Sequence, residues 1–327
     1  MIQSKPAWAA PLALLGAVSM WGLTPTATRF LVDADFSPEQ ILLWRFVGGG
    51  ALSIVIVLLF RPRLPSRKDM PLALGLGLFG VLGFNVPLAF GINIIEGGIA
   101  ALLLGMQPGF TALLASMLLG EALTRRLVVG LAVALAGTSM VAFAVASGFA
   151  LTGRYLFGCG LVLTAGLAYA SYTVIAKPHL GERIPAPAVA MIGTTAALPF
   201  VAPFGATGFG AAMGSLSFDG WLAAILLAAG ASVFAPILFN VGLSLGRATN
   251  AGLFIYLVPV FGAISSVVLL GEQLSALAIL GGAVVILGVM VATLPFNLLA
   301  RILPWWIDRQ RTRAGRDSAS GSSGRSR

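Results

Sequence analysis

A 43-residue stretch that occurs twice constrains this chain more than any other feature. From Ala100 it reads AALLLGMQPGFTALLASMLLGEALT, and 151 residues later, from Ala251, it reads AGLFIYLVPVFGAISSVVLLGEQLS. The copies share Pro108/Pro259, Phe110/Phe261 and the run Leu118-Leu119-Gly120-Glu121 against Leu269-Leu270-Gly271-Glu272. The match continues through Gly130/Gly281 and Gly137/Gly288, giving fourteen identities in forty-three positions without a gap. Some identities come free in a chain rich in Ala, Leu, Gly and Val. The proline, the LLGE run and the fixed glycine offsets do not. The pattern marks an internal duplication, so two copies of one unit are expected.

Composition decides the solvent. The chain is 58% hydrophobic and 9% charged, against about 25% charged in a typical soluble domain. Apolar stretches of about 20 residues recur along it, each long enough to cross about 30 Å of hydrocarbon. The expectation is an all-α polytopic membrane protein. The net charge of +9 does not point to nucleic acid, because the cations lie in short loops and in the tail from Arg301. A lone Cys159 and a lone His179 leave no intrachain disulfide and no multi-histidine metal site. No cofactor is expected.

The first span runs from about residue 8 to 31, too long for a signal-peptide core. Nine more follow, at roughly 40–60, 70–90, 96–119, 126–147, 155–176, 188–205, 220–240, 249–270 and 276–296. Pro187, Pro199 and Pro203 predict a short or broken helix over 188–205. The sum is ten helices in two sets of five, 8–147 and 155–296, with a basic Ser/Gly-rich tail at 301–327. Placing the N-terminus inside puts seventeen of the twenty Lys/Arg on the cytoplasmic side, which is the charge bias of an inner-membrane protein with both termini cytoplasmic. Five helices per copy make the second copy cross in the opposite sense. Inverted repeats of this kind build carriers around a shared central cavity.

These residues resemble a known family. The run WGLTPTATRF from Trp21, Leu43-Trp44-Arg45-Phe46 in the second helix, and the two segments in which proline precedes LLGE are similar to the drug/metabolite transporter superfamily, in its EamA-like branch of ten-helix carriers. The resemblance covers Trp8 to Phe296. It implies a secondary transporter of a small organic solute (an amino acid, metabolite or drug-like compound), usually an exporter, that works by alternating access. It also implies a cavity lined by helices one, three, four, six, eight and nine, with the fifth and tenth lying peripherally or packing against a partner, as in a homodimer. Carried over, the cavity residues are Trp21, Thr24, Phe84, Asn85, Met106, Gln107, Tyr169, Tyr172, Asn240, Phe254 and Tyr256. The partners implied are the solute and the lipid bilayer.

The residues themselves support part of that list. A polar side chain at bilayer depth is costly unless it meets water or a partner, so Asn85, Gln107 and Asn240 are cavity candidates or helix–helix hydrogen-bonding groups. Trp21, Tyr169, Tyr172 and Tyr256 are wall candidates or packing residues, and such walls suit a largely apolar or zwitterionic solute. Pro25, Pro87, Pro108, Pro236 and Pro259 fall inside expected helices, where each removes a hydrogen bond and bends the chain. Pro108 and Pro259 are candidate hinges. Arg29, Arg45 and Glu96 lie near one mouth, where an ion pair is a candidate gate, and either arginine suits an anionic solute group. The glutamate that some small relatives carry in the first helix for proton coupling has no counterpart, because no carboxylate lies between Trp8 and Leu31. Glu121 and Glu272 are expected to end their helices at the interface. Gly48 to Gly50, Gly75/Gly77/Gly80, Gly158/Gly160 and Gly281/Gly282 predict close helix packing. An importer or a carrier of an anionic or nucleotide-linked solute is the alternative. An intramembrane enzyme needs an acid or histidine cluster that the chain lacks.

Overall fold

The computed structural model describes Pro6 and residues 8–95, 97–145 and 152–293. Lys5, Glu96, the tail and its Pro304-Trp305-Trp306 lie outside the described residues. Among the described residues ten long helices follow in order, with one short helix, Phe209–Gly214, between the seventh and eighth: α1 (Ala9–Gly22 and Thr24–Val32), α2 (Pro38–Phe60), α3 (Met70–Ile92), α4 (Gly97–Leu104 and Gln107–Leu119) and α5 (Arg125–Val145). The second set is α6 (Gly153–Ala176), α7 (Ala186–Gly205), α8 (Phe218–Leu245), α9 (Ala248–Leu270) and α10 (Ala276–Thr293). Among the described residues, α2 to α10 are long and apolar enough to cross a membrane. α1 is divided at Leu23.

The prolines act where a helix is re-started. Pro25, Pro108, Pro236 and Pro259 each sit in the first turn of a new segment, a position that tolerates a missing N–H, although Pro236 follows directly on the preceding turn of the same span. Only Pro87 lies inside its helix, as the five were expected to. The expected break over 188–205 does not occur: α7 runs unbroken through Pro199 and Pro203. Its packing along α2 and α3 outweighs the two lost hydrogen bonds. α8 holds a feature the sequence reading missed. Between Phe218–Ile225 and Ala235–Leu245 the helix widens to a π-helix over Leu226–Phe234. The Ser232 carbonyl, which Pro236 cannot serve, accepts instead from the Thr194 hydroxyl at 2.9 Å. This hydrogen bond adds to the packing of α7 along α8.

Helix ends follow local chemistry. Ser37 and Gln40 form a reciprocal cap at the start of α2, and Thr152 and Ser217 accept backbone N–H groups at the starts of α6 and α8. Such caps satisfy donors that have no partner within the helix. α4 and α9 both end at a left-handed glycine, Gly120 (φ 65°) and Gly271 (φ 67°). The glycine of each LLGE run, not the glutamate, therefore stops the helix.

The duplication reappears in the packing. α3 packs on α6 as α8 packs on α1; α4 packs on α6 as α9 packs on α1; and α3 packs on α7 as α8 packs on α2. Three pairs, α2 with α7, α4 with α9 and α5 with α10, join a helix to its own counterpart. They run antiparallel. A Cβ on Gly130 meets Ala292 and Gly288, while one on Gly137 meets Val285 and Gly281. α5 and α10 thus pack their glycine faces on each other and keep an exposed apolar face that includes Val129, Phe143, Ile279 and Leu280.

Candidate substrate site

The middle of the bundle holds an aromatic cluster drawn from four helices. The Tyr169 ring of α6 lies 5.9 Å from Trp21 of α1, 5.4 Å from Phe84 of α3, 5.5 Å from Tyr172 and 5.6 Å from Phe239 of α8. Trp21 also approaches Phe239 at 5.4 Å. The contacts with Trp21 and Phe84 are edge-on, the geometry in which a ring's positive rim meets its neighbour's negative face. Trp21, Phe84 and Tyr169 stay partly accessible, whereas Tyr172 and Phe239 are buried. Gly80 makes room for this floor, because a Cβ there would fall 2.7 Å from the Tyr172 ring.

Polar groups border the cluster. The Tyr172 hydroxyl donates to Asn240 Oδ1 at 2.8 Å. Asn240 Nδ2 and Thr24 Oγ1 are buried without a hydrogen-bond partner. A buried unpaired donor costs about 1–3 kcal/mol; Asn240 follows Phe239 in α8, and Thr24 lies three residues beyond Trp21 in α1. The Trp21 indole N–H donates to the Ala231 carbonyl at 3.1 Å. One residue on, Ser232 Oγ accepts from Arg45 Nε at 3.1 Å. Two side chains from α1 and α2 thus hold consecutive residues of the π segment.

The other expected site residues divide. Met106 and Tyr256 line a separate apolar cleft of about 230 Å³, open between α4 and α5, with Phe110, Leu113, Leu131 and Leu135. Gln107 is buried, its Cβ facing Gly166 of α6, and Phe254 is buried in α9. Asn85 turns back on its own helix and donates to the Val81 carbonyl at 2.8 Å. The structure therefore brings together Trp21, Phe84, Tyr169, Tyr172 and Asn240, and sets Met106 and Tyr256 apart from them. Phe239 was missed. Nothing distinguishes it among twenty phenylalanines except its position beside Asn240.

The two LLGE glutamates behave differently. Glu121 accepts from the Ala248 N–H at 2.8 Å, the Thr249 N–H at 3.0 Å and the Thr249 hydroxyl at 2.7 Å, with Arg247 Nε 3.5 Å away. It latches the end of α4 to the start of α9, and the positive end of the α9 dipole favours it. Its counterpart Glu272 pairs with Arg29 and, among the described residues, accepts from no helix start. The expected role of these residues as simple helix ends is corrected at Glu121. Of the candidate gate residues, Arg29 pairs with Glu272, Arg45 bonds Ser232, and Glu96 lies outside the described residues. At this second end the first segment of α4 packs on α5 and α6 rather than on the second segment of α9. Among the described residues, Glu121 ties α4 to α9 at one end, and Glu272 ties α9 to α1 through Arg29 at the other.

Burial pushes the Glu121 carboxyl up, but the Thr249 and Ala248 hydrogen bonds and the Arg247 charge outweigh it and hold the pKa below its usual range. The latch is therefore at full strength above the ordinary carboxylate value of about 4.3 and is lost only as pH falls through the lower folded value. Exchange of the Ala248 and Thr249 amide hydrogens, corrected for its intrinsic rate, is expected to stay equally slow from about pH 5 to 8. Glu121→Gln removes the charge-assisted part of these bonds and is expected to speed exchange at both amides about tenfold. Exchange that quickens between pH 5 and 8 contradicts the depressed pKa.

Comparison with known proteins bears on the family and the fold. The model of the EamA-like transporter family matches residues 8–143 and again 156–294. A "Probable terminal-alkyne amino-acid exporter" of Streptantibioticus cattleyicolor is 31% identical, covering 88% of this chain and 93% of its own. An "Uncharacterized transporter" of Archaeoglobus fulgidus is 27% identical, over 86% and 97% of the two chains. A "Probable amino-acid metabolite efflux pump" of Salmonella typhimurium is 27% identical, over 88% and 95%. One solved crystal structure, 24% identical, shares the fold with a TM-score of 0.73, covering 90% of this chain and 98% of that one. With two family matches spanning nearly the whole described chain, the protein belongs to the EamA-like transporter family.

Proposed function

We propose that this transporter exports a small amino-acid-like solute across the cytoplasmic membrane by alternating access, with both termini on the cytoplasmic side. The observation that carries this is the aromatic cluster of Trp21, Phe84, Tyr169 and Phe239, bordered by the unpaired Asn240 Nδ2 and Thr24 Oγ1 and lying between the two matched blocks. Rings supply apolar area and a face for an ammonium group, and the two polar atoms supply orientation. The relatives named as an amino-acid exporter and an amino-acid metabolite efflux pump favour the same solute class. The basic loops support the orientation.

In that orientation the Glu121 latch closes the cytoplasmic end, and the Glu272 end faces outward. Residues 8–147 and 155–296 act as the inverted halves, and the segment breaks at Pro108 and Pro259 act as hinges. Arg29 belongs to the outer gate through Glu272. The test is counterflow of labelled amino acids and amino-acid derivatives in proteoliposomes. Exchange above empty vesicles is expected, with KM raised about tenfold by Trp21→Ala, which corresponds to about 1.4 kcal/mol of lost contact. If nothing in a broad panel moves faster than in empty vesicles, the reading fails.

A further inference from the structure

An arginine at the centre of an apolar span costs about 2.5–3.5 kcal/mol to place in a bilayer even on the most lenient scale, and less toward the span's ends. Such a residue is normally paired with a carboxylate or serves the transported species. Arg45 lies two turns into α2, a helix apolar enough to span a membrane, and is partly buried. Among the described residues its one hydrogen bond is from Nε to Ser232 Oγ. The described ion pairs use other arginines: Arg29 with Glu272, Arg183 with Asp69 and Arg247 with Glu121. The two terminal nitrogens of Arg45 therefore face no acceptor among the described residues.

The tether explains how this cation is held where no described carboxylate pairs with it. Ser232 donates its own hydroxyl hydrogen to the Leu227 carbonyl at 2.9 Å, which leaves its oxygen free to accept from Arg45 Nε. Its carbonyl is fixed by Thr194. The π turn, a feature frequent at functional sites, thus fixes the guanidinium by its inner nitrogen and leaves the outer fork unused. Such a fork matches the two oxygens of a carboxylate. The residue before Ser232 carries the carbonyl that receives the Trp21 indole, so the charged fork and the aromatic cluster are pinned to adjacent residues of one turn.

We propose that Arg45 is the specificity residue that anchors a carboxylate of the solute, restricting this site to monocarboxylates whose apolar part rests on Trp21 and Tyr169. A single guanidinium with no second cation suits a monoanionic group rather than a phosphate dianion. The inference rests on the carrier reading and narrows it.

The test is equilibrium binding to the full chain in lipid nanodiscs, read by intrinsic tryptophan fluorescence and thermal shift, so that transport is not required. The probes are the proteinogenic amino acids, each paired with its carboxamide. For at least one pair the carboxylate is expected to bind tenfold or more tightly than the amide. Arg45→Gln is expected to erase that preference by weakening the acid and leaving the amide unchanged. Arg45→Lys, which keeps the charge but not the fork, is expected to retain part of it. Ser232→Ala keeps the charge and removes the tether, and is expected to weaken the acid by a smaller factor even if Arg45→Gln does not fold. Acids that bind no tighter than their amides in the wild type, including no binding at all, overturn the proposal. So does a preference that survives Arg45→Gln. A wild type that binds acids selectively yet moves nothing in counterflow fails the carrier reading instead.

Discussion

Gly288→Leu is expected to lower the stability of the solubilised protein by about 3 kcal/mol or to prevent its accumulation, while Gly282→Leu on the same helix is nearly silent. A Cβ on Gly288 would stand 2.4 Å from the Ala134 backbone nitrogen and 2.8 Å from its Cα. Those atoms belong to the α5 backbone and cannot rotate away, so the whole α5–α10 interface must open. Overpacking of a well-filled interface costs about 1–3 kcal/mol, and more when backbone must move. Against a total stability of about 5–15 kcal/mol, that is a large share. A Cβ on Gly282 meets nothing within 4 Å. Both substitutions replace glycine in a helix interior, so each gains about the same 0.5–1 kcal/mol of helix propensity. Their difference isolates the close approach. Thermal unfolding of the purified protein, or its yield in membranes where unfolding is irreversible, measures it. Equal stabilities for the two variants would show that α5 and α10 do not pack as the glycine pairs require.

Gly137, Gly281 and Gly288 also mark how far the sequence could be read. The repeat, the apolar spans and the glycine offsets are patterns along the chain, and they carried the helix order and the inverted packing; that the glycines of α5 and α10 face each other was not among the expectations. What they could not carry is contact between residues remote in sequence. Trp21, Tyr169, Phe84, Tyr172 and Asn240 were each legible as bulky or polar groups at bilayer depth. That they meet around Phe239 depends on the crossing of α1, α3, α6 and α8, which no local pattern encodes. Met106 and Tyr256 stood beside the same prolines as Gln107 and were equally plausible. A step of one residue on a helix turns a side chain by about 100°, and that rotation put Met106 into the outer cleft and Gln107 against α6. The π segment of α8 escaped because Pro236 signals only a break, and a widened turn leaves no compositional trace. Glu121 was misjudged for a related reason. Its helix end is legible in Gly120, but its partners, Ala248 and Thr249, lie more than a hundred residues away.

The unequal glutamates lead to a second large effect. If the halves exchange roles during transport, contacts made by one repeat at the latched end must be made by its counterpart at the other end. Thr111 of α4 touches α9 at Gly252, where a Cβ would lie 3.0 Å from the Thr111 Cβ. This is close to the 3.5–4.5 Å between Cβ atoms that a disulfide needs. The 151-residue repeat maps this pair onto Gly262 and Ala101. Here a Cβ on Gly262 meets only the Gly22 carbonyl of α1 within 4 Å, so Ala101 stands off. In a Cys159→Ala background, Thr111→Cys with Gly252→Cys is expected to cross-link readily under mild oxidation. Ala101→Cys with Gly262→Cys is expected to cross-link more slowly, as the opposite conformer is visited. Either bond should reduce transport at least tenfold, and reduction should restore it, because a carrier held at one end cannot complete a cycle. The Glu121→Gln change should speed the second cross-link, since a weakened latch raises the population of the conformer in which Ala101 meets Gly262. That direction is the discriminating result. A latch that is only structural, with no part in the cycle, would leave the Ala101–Gly262 rate unchanged. Failure of that pair to cross-link at all would mean that the two ends do not exchange contacts, and that the repeat shapes the bundle without moving it.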